Sequence, residues 1–215
     1  MIAVRIAGAL LAGALVGGAA ATDWAARVSE TPAGTFVRGN PNAPVKLVEY
    51  ASYTCDHCAR FSAESSAPLT GRIASGSVSV EFRHAVRDPL DLAAALLARC
   101  AGPRRFFAAS EAIFAAQPAL LEKARAITPP TGGDARQIVT AYARGTGLFP
   151  IVARHGVSAA RAEKCLGNAA EYDRLRAMAD EAWGTRRIPG TPHFLVNGTA
   201  VRENVWAALA PRLEN

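Results

Sequence analysis

The pattern of apolar and polar positions predicts β-structure towards both ends of the chain, with helices between. Residues 45–52, VKLVEYAS, are largely apolar and β-prone, which predicts a buried central strand. Residues 77–86 alternate apolar and polar side chains, which predicts a second strand, and residues 35–38 predict a short edge strand. Residues 58–75 lie between the two longer strands and predict a helix, which Pro68 could kink. The order strand, helix, strand predicts a βαβ unit.

The middle of the chain, residues 89–182, is predicted to be a helical insertion. Apolar side chains recur there at helical spacing, and residues typical of helix N-caps separate the apolar stretches. Asp134 and Gln137 fit a capping box, while Ser158 and Asn168 fit single caps. The predicted helices span residues 90–100, 103–117, 134–145, 158–166 and 168–183.

Strand character returns in residues 190–201, GTPHFLVNGTAV. Asn197-Gly198 predicts a tight hairpin turn in this stretch, and a short helix is predicted after it. The chain is therefore predicted to be an α/β protein with a βαβ half in residues 22–88 and a ββα half in residues 183–215. The helical insertion separates these two halves.

The first 21 residues predict an export signal. Arg5 precedes an apolar run from Ile6 to Val16, and Ala19-Ala20-Ala21 fits the cleavage rule of a secretory signal peptide. An uncleaved membrane anchor is the alternative, but the run is shorter than the roughly 20 apolar residues of a spanning helix. We therefore expect cleavage after Ala21 and export to a compartment in which disulfides persist.

Composition and charge argue against a nucleic-acid-binding protein. The 215 residues are 50% hydrophobic and 20% charged, with a formal net charge of +6, which is ordinary for a globular protein. The basic residues are scattered singly or in pairs such as Arg104-Arg105, and they do not form a basic run. We therefore expect a solvated basic surface and no nucleic-acid partner.

Two cysteines at CxxC spacing carry the candidate chemistry. Cys55 and Cys58 follow the predicted central strand and begin the next helix, which is the redox motif of thioredoxin-like proteins. Unpaired N–H groups and the positive end of the helix dipole stabilise a thiolate at such a position and lower its pKa. Cys55 is therefore expected to be the exposed nucleophile, and Cys58 the more buried resolving thiol.

A structural zinc site is an alternative use of the CxxC pair. Zinc needs four ligands, and the sequence has neither a second CxxC nor an HxxxH motif. Cys100 and Cys165 could add ligands only if the fold happened to bring them there. We therefore expect no metal.

These motifs together resemble the DsbA-like thiol-disulfide oxidoreductases, which are thioredoxin-fold proteins of the bacterial periplasm. The resemblance rests on VEYASYTCDHC, on the helical insertion and on GTPHFLVNG, and it covers nearly the whole chain after the signal. It implies a thioredoxin-like fold with an inserted all-helical subdomain. It also implies a cis peptide bond at Thr191-Pro192 opposite the CxxC, with the Thr191 backbone presented to a substrate peptide. An ordinary trans-proline in a turn is the alternative.

The resemblance assigns roles to three residues around the cysteines. Glu49 matches a buried acid that could relay a proton to or from Cys58, and a solvent-facing strand residue is the alternative. His57 matches the histidine of the family's usual Cys-Pro-His-Cys and is expected to stabilise the Cys55 thiolate. Asp56 replaces the proline of that motif, and its charge is expected to disfavour the thiolate. We therefore predict a redox potential set by His57 and Asp56 acting in opposite directions.

The two remaining cysteines, Cys100 and Cys165, both lie in the helical insertion. Two cysteines on neighbouring helices favour a structural disulfide in an oxidising compartment. A pair of reduced, buried thiols is the alternative.

The resemblance implies a periplasmic dithiol oxidase that works without a cofactor. Such an enzyme donates its Cys55–Cys58 disulfide to reduced exported proteins through a mixed disulfide, and a membrane quinone-linked partner of the DsbB type reoxidises it. An isomerase or reductase of the same fold, acting on misfolded proteins, is the first alternative, and a CxxC metal-binding protein is the second. Family isomerases are commonly dimers held by an added N-terminal region. The short segment before the first predicted strand therefore favours a monomer.

Overall fold

The computed structural model of the protein describes residues 22–214. The predicted signal peptide, residues 1–21, lies outside the described residues. The strands are β1 (Val28–Glu30), β2 (Phe36–Gly39), β3 (Val45–Ala51), β4 (Val78–His84), β5 (His193–Val196) and β6 (Thr199–Val201). The α-helices are α1 (Asp56–Ala74), α2 (Pro89–Cys100), α3 (Pro103–Arg125), α4 (Ala135–Thr146), α5 (Leu148–Ala153), α6 (Ala159–Leu166), α7 (Ala169–Ala179) and α8 (Trp206–Leu209). Short 3₁₀ turns at Trp24–Ala26 and Ala210–Leu213 and a π-helical turn at Asp180–Thr185 complete the secondary structure of residues 22–214.

β3 is the strand on which the candidate site is built. The six strands form one sheet in the order β1-β2-β4-β3-β5-β6. β3 pairs with β4 in parallel and with β5 antiparallel, so neighbours cover both of its edges, as its largely apolar sequence predicts. α1 connects β3 to β4, which confirms the predicted βαβ unit.

The carboxyl-terminal half also forms as predicted. β5 and β6 pair as an antiparallel hairpin, and Asn197 and Gly198 at its turn both have positive φ, which favours Asn-Gly at a tight hairpin. α8 follows the hairpin and packs on α1. The βαβ and ββα halves therefore share one mixed sheet, and β3 and β5 are the strands that join them.

Helices α2 to α7 come between β4 and β5 in the sequence, and they form a second part of the hydrophobic core. α2 is at its centre, since every residue from Ala93 to Cys100 is buried and the helix packs on α3, α4 and α6. The capping box of Asp134 and Gln137 is present at the start of α4. Within residues 22–214, no helix has both the length and the apolar character needed to cross a membrane.

A disulfide joins α2 to α6. It links Cys100 to Cys165, whose Cα atoms are 6.0 Å apart. Of the two states that the sequence left open for this pair, the structure has the bridged one.

The structure differs from the sequence-based prediction in four of its elements. β1 escaped prediction because its three residues are largely exposed. It pairs with β2, so β2 is an internal strand instead of the predicted edge. α3 continues through Pro118 to Arg125, because packing on α1, α2 and α4 outweighs the missing proline N–H. α5 has only six residues, which is too short for a recognisable helical period.

Candidate active site

The CxxC pair lies where β3 ends and α1 begins. Cys55 is the N-cap residue of α1 and keeps an extended backbone, so the unpaired N–H groups of the first turn lie near its sulfur. Cys58 lies in that first turn, and both residues are thiols. Among residues 22–214, no group of three or more His, Cys, Asp or Glu side chains is arranged to hold a metal ion.

Cys55 is less accessible than the sequence predicts. Only 3% of its surface is exposed, and Cys58 is fully buried. The loop before β5 covers the nucleophile, since Cys55 Sγ donates a hydrogen bond to the Thr191 carbonyl oxygen at 3.1 Å. The expectation of an exposed Cys55 is therefore wrong, because a segment 136 residues away in sequence packs over it. A substrate has to approach the sulfur beside this loop.

The surroundings of the two sulfurs move their pKa values apart. The pKa of Cys55 falls to about 5, foremost because the Cys58 thiol can donate a hydrogen bond to its thiolate, and further because the Thr191 hydroxyl and the Cys58 N–H can do so as well. Burial raises the pKa of Cys58. Cys55 is therefore the thiolate at neutral pH, and Cys58 keeps its proton.

The Thr191-Pro192 peptide bond is cis, as the resemblance implies. It immediately precedes β5, in which His193 pairs with Tyr50 of β3, and this register places the loop beside the CxxC. Thr191 Oγ1 is buried and, among the described residues, has no partner in the thiol form. Its hydroxyl is therefore available to turn towards a Cys55 thiolate.

The two residues between the cysteines, Asp56 and His57, are both exposed. His57 Nδ1 is 3.1 Å from an Arg60 guanidinium nitrogen, so its ring engages the next turn of α1. The groups that hydrogen-bond with the Cys55 sulfur belong to Cys58 and Thr191. Stabilisation of the Cys55 thiolate by His57, and the opposing effect of Asp56, stay predictions.

Glu49 is buried on β3, beneath the cysteines. Only 8% of the surface of Glu49 is exposed, which excludes the alternative of a solvent-facing strand residue. Burial raises the pKa of its carboxyl to about 8, and the negative charge of Cys55 raises it further in the same direction. Glu49 also lines a cavity together with hydroxyl groups, among them those of Ser65 and Ser110. The carboxyl is therefore protonated near neutral pH, and it lies in a mainly apolar cavity that a few hydroxyl groups also line, where it could serve as a proton relay.

Two polar side chains of the helical segment hold the backbone of residues 53–55, which leads into the CxxC motif. The sequence pattern did not reveal them. The Gln117 amide donates hydrogen bonds of 2.8 Å to the carbonyl oxygens of Tyr53 and Cys55. The Asp91 carboxylate accepts a hydrogen bond of 2.7 Å from the Tyr53 N–H. Both side chains are buried. A lone polar residue within an apolar helix, such as Asp91 in PLDLAAALLARC, was the available indication of such a role.

A comparison with known protein families agrees with the chemistry of this site and covers most of the chain. Residues 31–213 match the family Thioredoxin_4, which is described as thioredoxin. The chain belongs to this thioredoxin family. It is a DsbA-like thiol:disulfide oxidoreductase with a thioredoxin-like fold and an inserted helical segment, α2 to α7. No curated protein matches the sequence significantly.

Solved structures of similar fold include oxidoreductases of several bacteria. A protein-disulfide isomerase from Novosphingobium aromaticivorans is 32% identical with a TM-score of 0.76, and the match covers 83% of this chain and 97% of that one. Alpha-DsbA1 of Wolbachia pipientis is 20% identical with a TM-score of 0.67, covering 85% of this chain and 90% of that one. BdbD of Bacillus subtilis is 18% identical with a TM-score of 0.57, covering 82% and 89%. The last two similarities show the fold alone.

We expect Glu49→Gln to stabilise this oxidoreductase at alkaline pH. The folded-state pKa of Glu49, about 8, lies above the ordinary 4.5. At Glu49 the folded protein therefore binds more protons than the unfolded chain between these values, so the contribution of Glu49 to stability falls as pH rises through this window. The variant should lose this fall and gain roughly 1–3 kcal/mol of unfolding free energy at pH 8. Urea unfolding of the reduced protein at pH 5 and pH 8 measures both quantities.

The matched control for this experiment is Glu64→Gln. Glu64 is exposed on α1, so the change removes one negative charge without relieving a buried one. Its unfolding free energy should follow the wild-type pH dependence. A Glu49→Gln protein that loses stability between pH 5 and pH 8 as steeply as the wild type would show that Glu49 is not the buried titrating group.

Proposed function

We propose that this oxidoreductase is a dithiol oxidase that donates its Cys55–Cys58 disulfide to reduced, newly exported proteins. The observation that carries the proposal is the position of the Cys55 sulfur, which lies at the N-cap of α1 beside Thr191, where Cys58 and Thr191 lower its pKa. A pKa of about 5 lies between the roughly 3.5 of DsbA and the roughly 7 of thioredoxin. A stabilised thiolate favours the reduced enzyme, and the disulfide is then a stronger oxidant.

The reaction transfers two electrons from a substrate dithiol to the enzyme. A substrate thiolate attacks the Cys55 sulfur, the Cys55–Cys58 bond breaks, and the Cys58 sulfur leaves with the electron pair. The substrate's second thiolate then attacks the sulfur of the first substrate cysteine, which is bonded to Cys55 in the mixed disulfide. Cys55 is released as a thiolate. The substrate gains a disulfide, and the enzyme is left with a Cys55 thiolate and a Cys58 thiol.

Glu49 supplies the proton that this sequence of steps needs. Cys58 leaves as a thiolate in a fully buried position, where the charged form is strongly disfavoured. Glu49 is protonated near neutral pH, so it can pass a proton to Cys58 as the bond to Cys55 breaks. The hydroxyl groups of Ser65 and Ser110 in the cavity that Glu49 lines offer the carboxyl a route to recover a proton from solvent.

The substrate chain binds beside the cis-proline loop. Residues 189–193 of this loop line a groove with residues 200–204. The Thr191 backbone is next to the Cys55 sulfur, so an extended substrate segment that pairs with it brings its own cysteine to the nucleophile. The contacts are to backbone atoms, which suits an enzyme that acts on many sequences.

The cellular setting belongs to the same proposal. The predicted signal peptide supports a periplasmic location, with reduced or misfolded exported proteins as partners. The reduced enzyme then needs an oxidant, and a membrane quinone-linked protein of the DsbB type is the class that the family resemblance suggests. We propose that the protein acts as a monomer.

A disulfide isomerase is the second candidate, and one finding favours it. The Novosphingobium aromaticivorans protein that is 32% identical to this chain is named a protein-disulfide isomerase. Asp56, in place of the usual proline, also favours a less oxidising disulfide than that of DsbA. An isomerase uses the Cys55 thiolate to attack a wrong substrate disulfide, and so it has to rest in the reduced state.

Equilibration of the wild-type protein against glutathione buffers separates these candidates. We expect a reduction potential for Cys55–Cys58 above about −200 mV, towards the roughly −120 mV of DsbA, because the Cys55 thiolate is stabilised. The fraction of oxidised enzyme is measured by mass after alkylation. A potential near the roughly −270 mV of thioredoxin would refute the oxidase proposal. Transfer to a fully reduced protein, compared with repair of one with scrambled disulfides, then tests for isomerase activity.

A further inference from the structure

We infer that the loop from Val86 to Asp88, together with the first turn of α2, is part of the active site and that the Arg87 cation stabilises the Cys55 thiolate. This inference rests on the proposed redox function and adds to it a charged residue outside the CxxC motif. It gives Arg87 a thiolate-stabilising role of the kind that the family resemblance implies for His57.

The topology brings this loop to the CxxC. β3 and β4 are parallel, and their last paired residues are Ala51 and His84. The Ala85 N–H still donates a hydrogen bond of 2.9 Å to the Ala51 carbonyl oxygen. The segments that follow the two strands therefore leave the same end of the sheet side by side, one towards Cys55 and the other towards Arg87.

A pair of carboxylates fastens the two segments together. Asp91 is fully buried, and its two oxygens accept hydrogen bonds from the Tyr53 N–H at 2.7 Å and the Arg87 N–H at 3.1 Å. The Thr54 hydroxyl donates to one oxygen of Asp88, and the other oxygen of Asp88 accepts the Asp91 N–H at 2.9 Å. Asp91 therefore acts as a positioning residue that fixes Arg87 relative to the residues before Cys55.

The Arg87 side chain turns back towards the nucleophile. Its Nε and one terminal nitrogen each lie 3.4 Å from Thr54 Oγ1, and Thr54 directly precedes Cys55. Among the described residues, no carboxylate lies within ion-pair distance of Arg87, whereas Arg83 and Arg99 are each paired with glutamates. The positive charge of Arg87 is thus held beside the site without being neutralised by a partner.

The position of Arg87 compensates for the charge that Asp56 is expected to place against the Cys55 thiolate. Asp56 puts a negative charge next to Cys55, and His57 contacts Arg60. After the hydrogen bonds from Cys58 and Thr191, the Arg87 charge is a further cause of the lowered pKa of Cys55. The positive charge of Arg87 therefore offsets the negative charge of Asp56, favours the reduced form of the couple and makes the Cys55–Cys58 disulfide a stronger oxidant.

The test compares Arg87→Gln, Arg87→Lys and Arg154→Gln in the full protein. Arg154 is also exposed and, within residues 22–214, forms no ion pair, but it follows α5 in the helical segment. Thiolate absorbance of the reduced proteins gives the Cys55 acid constant, and glutathione equilibration gives the redox equilibrium constant. We expect Arg87→Gln to lower the acid dissociation constant of the Cys55 thiol roughly two- to threefold, which is the effect of one charge at about 8 Å in water-like surroundings. The redox equilibrium constant should shift in parallel, towards a less oxidising disulfide.

The other measurements distinguish an effect of the Arg87 charge from an effect of losing its side-chain contacts. Arg87→Lys should stay near the wild type, Arg154→Gln should have no effect, and 1 M salt should shrink the Arg87→Gln effect. An unchanged acid constant in Arg87→Gln would overturn the inference, and so would an Arg87→Lys protein shifted as far as Arg87→Gln. A thioredoxin-like wild-type potential together with the expected Arg87→Gln shift would refute only the oxidase proposal.

Discussion

Replacing Cys55 with alanine is expected to lower disulfide transfer to a reduced protein by about a thousandfold or more. Cys55 is the sulfur that contacts the Thr191 backbone, where a substrate segment can bind. Cys58 cannot take its place, because it is fully buried and its pKa is raised. Single-turnover oxidation of a reduced test protein, followed by alkylation and mass measurement, gives the rate.

Cys58→Ser makes this experiment specific for the two roles. This variant also lacks the disulfide to be donated, so it should be equally inactive as an oxidase. Its Cys55 thiolate can still attack a disulfide, and the mixed disulfide should accumulate because no second thiol resolves it. Cys55→Ala should form no such adduct. If the adduct formed on Cys58 in the Cys55→Ala protein, the assignment of the nucleophile would be reversed.

Removal of the disulfide in the helical segment is expected to have the largest effect on stability. Cys100 and Cys165 are separated by 65 residues, and a crosslink over such a loop restricts the unfolded chain by about 4 kcal/mol. The double variant Cys100→Ala, Cys165→Ala should therefore lose roughly that much free energy of unfolding. Urea unfolding of the oxidised proteins at neutral pH measures the difference.

The same variant should keep its redox chemistry. Cys100 ends α2 nine residues after Asp91, which is roughly 14 Å along the helix, and only the amino-terminal end of α2 holds the loop at Tyr53. The glutathione equilibrium constant of Cys55–Cys58 should therefore change less than about twofold, which is about 0.4 kcal/mol. A loss of stability below about 1 kcal/mol would contradict the structural role of this disulfide. A strong change in the equilibrium would couple it to the active site.

Local chemistry explains why much of the fold was predictable. β3 reads as a central strand because largely apolar residues suit a strand with neighbours on both edges. Asp134 with Gln137, and Asn197 with Gly198, form their cap and turn from residues adjacent in sequence. Such features depend on side chains within a few positions of one another, so the sequence contains their whole cause.

Non-local packing explains what was not predictable. β1 is a strand because it pairs with β2, and nothing in its three residues requires it. Gln117 lies 62 residues from the Cys55 carbonyl that it contacts. Arg87 and Thr54 meet because parallel strands end together.

The sequence by itself determined the chemistry of this protein: a CxxC at the start of a helix, an acid on the strand before it and a proline to face it. The tertiary structure decided how that chemistry is tuned. It buried Cys55 under the Thr191 loop, raised the pKa of Glu49, and set Arg87 beside the nucleophile. The reason is physical: residue identity sets which groups can ionise, whereas burial and the distances to other charges set where they do so.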